Sequence, residues 1–160
     1  MPTLEYNTTS GNFGQIRQKL KRRRILLVDD EPYNLMGLKV IIEALDTGNS
    51  LSMIIDQATN GLEAYKAVKK AHQDKSYEYG LIFMDCSMPI LDGYDACDKI
   101  REYLRNHYEQ QPMIVACTGH TENEYIKKAW RHQMDEVVPK PANTAVVQCI
   151  LDEMVEYRDK

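Results

Sequence analysis

Three carboxylates stand directly after short apolar runs: Asp29 and Asp30 follow Ile25-Leu26-Leu27-Val28, and Asp85 follows Leu81-Ile82-Phe83-Met84. Runs this short and this continuously apolar read as strands of a parallel sheet covered on both faces. In open sheets of that kind, ligands bind beyond the carboxyl ends of the strands, where the strand order reverses. If strands one and three are neighbours, the three carboxylates converge on one crevice. Unpaired, they would repel one another and raise each other's pKa values, so something cationic must compensate them. A hard divalent ion suits oxygen ligands, and Mg²⁺ commonly takes one or two carboxylates, several waters and a phosphate oxygen. Any one of these residues alone is better read as a helix cap. Three together, accompanied by a lysine, point to the ion.

That lysine is Lys140, in Val137-Val138-Pro139-Lys140-Pro141 after the fifth strand, and Thr118-Gly119 ends the fourth. An ammonium is a compact charge suited to a phosphate oxygen, and a hydroxyl can donate one more hydrogen bond to it. Gly119 is expected to leave the approach open. Alone, Lys140 reads as a surface lysine and Thr118 as a turn residue. Their place on the same sheet edge as the carboxylates gives them a role.

The elements that must position these groups alternate short apolar runs with longer amphipathic segments, the pattern of a parallel sheet wrapped by helices. The strands are expected at Ile25–Val28, Ser52–Asp56, Leu81–Met84, Met113–Cys117 and Glu136–Val138, with the first, third and fourth central. Leu35, Leu38, Ile41, Ile42 and Leu45 recur at helical spacing, as do Val146, Val147, Ile150, Leu151, Met154 and Val155. Asn60 with Glu63, and Thr121 with Glu124, have the form of capping boxes that start the second and fourth helices. The polar stretches Asp74–Tyr79 and Asn106–Gln111 read as loops, and there is no internal repeat.

At 160 residues, one domain is expected. It is placed at residues 23–157, after a flexible lead-in at residues 1–22, with the basic run Lys19, Lys21, Arg22, Arg23 and Arg24 at the junction between them. The run reads as a solvated linker, because the rest of the chain is acidic, its net charge is −4, and no second basic stripe extends a nucleic-acid footprint. No apolar run approaches the ~20 residues of a membrane span, and Met1 to Phe13 lacks the pattern of a secretory signal. A cytoplasmic location without direct membrane contact follows as the expectation. Cys86, Cys97, Cys117 and Cys149 form no C-x-x-C pair and read as buried small hydrophobes. His72, His107 and His132 lack metal-ligand spacing and read as surface residues.

The segments Ile25-Leu26-Leu27-Val28-Asp29-Asp30-Glu31-Pro32, Met84-Asp85-Cys86-Ser87-Met88-Pro89 with Leu91-Asp92-Gly93-Tyr94, Thr118-Gly119 and Pro139-Lys140-Pro141 together resemble the receiver domain of response regulators and hybrid histidine kinases. The resemblance covers about Arg23 to Tyr157. It implies a flavodoxin-like (βα)5 fold, a doubly wound five-stranded parallel sheet in the order 2-1-3-4-5. It also implies that Asp85 accepts a phosphoryl group from a phosphohistidine on a histidine kinase or a histidine phosphotransfer protein. Asp30 would bind the metal directly, Asp29 mostly through water, and the Ser87 backbone carbonyl and Asp85 would complete the protein ligands; Mg²⁺ is the expected ion, with Mn²⁺ as a substitute. Lys140 would hold a phosphoryl oxygen and Thr118 would turn toward it. Ser87 and His120 would flank the acyl phosphate and influence its lifetime, although His120 also reads as a plain loop residue. The bond before Pro141 is expected to be cis. One departure stands out: many members carry an aromatic ring where this chain has Val137, so an aromatic toggle is absent from that strand.

Two other functions compete. A small Mg²⁺-dependent phosphatase would also use a nucleophilic aspartate, but dehalogenase-like phosphatases carry D-x-D on their first strand and this chain has adjacent Asp29-Asp30. A phosphorylation-independent interaction module of the same fold would be expected to lose the site, which is complete. Only three residues follow Tyr157, so output is expected from elsewhere: from a partner of a stand-alone receiver, or from the rest of a hybrid kinase.

Overall fold

The computed structural model describes residues 22–45, 54–120 and 122–157. Strands and helices alternate: β1 (Arg22–Val28), α1 (Pro32–Leu45), β2 (Ile55–Ala58), α2 (Gly61–Asp74), β3 (Tyr77–Asp85), α3 (Gly93–Asn106), β4 (Met113–Thr118), α4 (Asn123–Arg131), β5 (Glu136–Pro139) and α5 (Thr144–Tyr157). The strands form one parallel sheet in the order β2-β1-β3-β4-β5, as the resemblance implies.

Successive strand residues face opposite sides, and β1 divides accordingly. Leu26 and Val28 join Ile82, Met84, Ile114 and Ala116 against α2, α3 and α4, through Ala64, Val68, Tyr94, Cys97, Ile100 and Ala129. Ile25 and Leu27 join Leu81, Phe83, Met113 and Val115 against α1 and α5, through Leu35, Ile42, Val147, Ile150 and Leu151. The sheet therefore has two dry faces, and its strand ends are where polar chemistry can sit. Both apolar stripes read from the sequence face the core: Leu38, Ile41, Leu45 and Val146 are its partly buried margin, and the side chain of Val155 lies outside the described residues.

Several expectations need correction. Arg22, Arg23 and Arg24 are strand residues, paired in register with Tyr77, Glu78 and Tyr79, so they are neither linker nor loop. Arg24 lies over the Tyr77 ring at 3.8 Å and pairs with Asp56 at 3.3 Å, and Arg23 pairs with Glu78 at 3.5 Å. Lys19 and Lys21 lie outside the described residues. Strand β2 spans Ile55–Ala58, with Ile25 opposite Ile55 and Val28 opposite Ala58, and so runs past the expected end at Asp56; the expected start at Ser52 lies outside the described residues. Helix α2 starts as expected, its Asn60 side chain accepting from the Glu63 amide at 2.9 Å, but Glu63 reaches back to the Thr59 amide and hydroxyl instead of closing on Asn60. Helix α4 starts at Asn123, with Glu122 at the cap position and no side-chain cap bond; Thr121 lies outside the described residues. Cys86, Cys97 and Cys117 are buried, whereas Cys149 is exposed.

Candidate functional site

Parallel neighbours β1 and β3 end side by side, Val28 opposite Met84, so the residues that follow them must meet. Carboxylate oxygens of Asp29, Asp30 and Asp85 all lie within 4.8 Å of one another. Asp29 and Asp85 are buried and Asp30 is exposed. Lys140, carried in by the end of β5, places Nζ 2.8 Å from Asp29 Oδ2 and 2.8 Å from Asp85 Oδ1. The peptide bond between Lys140 and Pro141 is cis, as expected. The Lys140 amide donates to the Thr118 carbonyl at 2.8 Å, which ties the lysine to the end of β4.

Burial pushes the Asp85 carboxyl up to about 6; the Lys140 hydrogen bond opposes that rise and the Asp29 charge adds to it. Burial acts to lower the pKa of Lys140, but its hydrogen bonds to Asp29 and Asp85 prevail and hold it above its ordinary value. The ammonium is therefore charged, and it leaves the three carboxylates with an excess of two negative charges. A hard oxygen donor set with that excess fits a divalent cation.

The Asp92-Gly93 pair has a mechanical role. Asp92 caps α3 by accepting from the Asp95 amide at 2.9 Å. A Cβ on Gly93 would come within 2.1 Å of the Asp85 carbonyl oxygen and 2.9 Å of Met84 Cγ, so only glycine lets the helix start against the end of β3. Between them the chain turns tightly, Leu91 donating to the Pro89 carbonyl at 2.9 Å with exposed Ile90 at φ 73°.

Thr118 is buried, and its Oγ1 accepts from the His120 amide at 3.0 Å. The Ser87 amide donates to Asp85 Oδ1 at 3.4 Å, so its backbone already turns toward the site. A Cβ on Gly119 would meet nothing within 4 Å; glycine is thus not needed there to keep the approach open. Val137 is half-buried and packs into the core, with no ring to move.

Beside the motif residue Tyr94, the structure adds two residues that the sequence did not single out. Tyr94, Tyr125 and Lys128 line the cleft that holds Asp30, Asp85 and Lys140. Lys128 Nζ stands 4.3 Å from the Tyr94 ring centre, and His120 stacks on Tyr125. Each comes from one turn of a helix whose facing was unknown before the fold. Two histidines also differ from the surface reading. His72 is half-buried and bonded to the Tyr103 hydroxyl at 2.7 Å, and His132 bonds Asp98 at 2.7 Å within a group completed by Asp95.

Residues 25–151 match the family described as the response regulator receiver domain. Hybrid signal transduction histidine kinase B of Dictyostelium discoideum is 34% identical over 134 residues, which are 78% of this chain and 6% of that protein. The chain thus spans a small part of that kinase. Chemotaxis protein CheY of Halobacterium salinarum is 32% identical over 119 residues, 74% of this chain and 85% of that protein. The solved receiver domain of the histidine kinase CKI1 from Arabidopsis thaliana, complexed with Mg²⁺ and BeF₃⁻, superimposes with a TM-score of 0.65 at 28% identity, covering 87% of this chain and 93% of that one. No helix among the described residues is long and apolar enough to cross a membrane. The match over most of its length, with the acidic crevice and its lysine, makes this chain a member of the response regulator receiver family.

Proposed function

We propose that Asp85 is the phosphoacceptor, taking its phosphoryl group from a phosphohistidine on a histidine kinase or a histidine phosphotransfer protein. The observation that carries this reading is the Lys140 ammonium, bridging Asp29 and Asp85 at 2.8 Å each beside a third carboxylate. Phosphoryl transfer asks a protein mainly for positioning and charge neutralisation, and the cleft supplies both. An Asp85 carboxylate oxygen bonds to phosphorus as the bond from phosphorus to the donor imidazole nitrogen breaks, and that bond's electron pair returns to the ring. Lys140 stays within reach of the incoming oxygens, and the Thr118 hydroxyl supplies a further donor. Asp29, Asp30, Asp85 and the Ser87 carbonyl would hold Mg²⁺, or Mn²⁺ in its place, which when bound neutralises charge on the phosphoryl oxygens. The unit doing this runs over residues 23–157, in the cytoplasm, where its free thiols stay reduced. The related kinase and the Mg²⁺-bound receiver support the same assignment.

Labelling with acetyl phosphate or a phosphohistidine donor in Mg²⁺ tests it. One phosphoryl group per chain is expected, and none on Asp85→Asn. Full labelling of that variant would move the nucleophile elsewhere, and repeated turnover of an external phosphomonoester would favour a phosphatase.

A further inference from the structure

We propose that Tyr125 is a positioning residue for the Thr118 hydroxyl and acts through His120, an inference that rests on the phosphoacceptor reading of the same cleft. A hydroxyl has one hydrogen and two lone pairs. The His120 amide occupies a lone pair of Thr118 Oγ1 at 3.0 Å, which leaves the hydrogen to be offered to an anion in the cleft. The direction of that hydrogen depends on where the His120 amide stands.

Little in the backbone fixes that amide. Gly119 separates it from β4, glycine has the freest backbone of any residue, and nothing lies within 4 Å of where a Cβ on Gly119 would be. The restraint comes from the His120 side chain. Its ring lies on that of Tyr125, with centroids 4.4 Å apart and planes 15° from parallel, and its Nδ1 is 3.9 Å from a Glu122 carboxylate oxygen. The carboxylate contact is long and solvent-exposed, worth little; the ring stack is the stronger contact. Tyr125 is in the first turn of α4 and faces the cleft, so it anchors the loop to a rigid element. Val137 offers no ring from β5, and Tyr125 supplies the aromatic group from the helix instead. The path is Tyr125 ring, His120 ring, His120 amide, Thr118 hydroxyl.

Beryllofluoride affinity in Mg²⁺, measured by calorimetry on the full chain, tests this. Tyr125→Leu is expected to weaken binding about fivefold, the size of one aromatic pair, whereas Tyr125→Phe, which keeps the ring face, stays within about twofold of wild type. His120→Ala keeps the amide and loses the ring, so it should match Tyr125→Leu, and the double variant should be no weaker than either. In a Thr118→Ala background, Tyr125→Leu should have almost no further effect. An equal loss in that background, or a Phe variant as weak as Leu, overturns the proposal and leaves the phosphoacceptor reading intact. Failure of the wild type to bind beryllofluoride overturns both.

Discussion

Asp85→Asn should make the metal-free protein more stable at neutral pH, although it removes the proposed nucleophile. Burial holds the folded-state pKa of Asp85 at about 6, against an ordinary 3.8, and that rise corresponds to about 3 kcal/mol. The folded chain binds this proton more tightly than the unfolded chain does, so the stability is fully present below pH about 4 and is lost as pH climbs through about 6. Asparagine cannot ionise and avoids that loss. The ion pair that it gives up with half-buried Lys140 is already contained in that folded-state value, which the lysine holds down. The net gain expected at pH 7.5 in chelator is about 3 kcal/mol, shrinking to well under about 1 kcal/mol at pH 4. Urea unfolding followed by circular dichroism at both pH values measures it. An Asn variant less stable than wild type at pH 7.5, or a gain equal at both pH values, would refute the claim that desolvation of a charged Asp85 governs the site.

Asp30→Ala should weaken Mg²⁺ binding more than Asp29→Ala, since Asp29 is buried and already engaged by Lys140 and the Glu31 amide while Asp30 is exposed at the cleft; calorimetric titration showing equal or reversed losses would reject that division. Gly93→Ala should cost about 3 kcal/mol, the upper end for overpacking, because the new methyl meets the backbone of Asp85, and an unchanged urea midpoint would contradict the close approach.

The carboxylates, the lysine and the threonine were legible because each directly follows an apolar strand, and a parallel sheet brings strand ends to one edge. What was missed depends on pairing across long separations. Tyr77–Tyr79 reads as loop beside polar Asp74-Lys75-Ser76, and only its partners Arg22–Arg24 make it strand. The short edge strand β2 takes its limits from β1, whose Val28 pairs with Ala58, so its own apolar residues place its end too early. His132 and Asp98 are 34 residues apart and meet only because α3 and α4 lie on one face. The His120–Tyr125 stack spans the start of α4, whose cap was read one residue early. A stack of that kind leaves no periodic signal.

The direction of β1 bears on how such a unit can be wired into something larger. Its seven residues carry the chain from Arg22 to the cleft, a run of roughly 20 Å, and α5 travels back from the cleft edge toward Tyr157. The described residues therefore begin at Arg22 and end at Tyr157 on the pole opposite Asp85. The length of the strand thus sets a separation between that pole and the carboxylates, so a group joined there would start from the far side of the sheet.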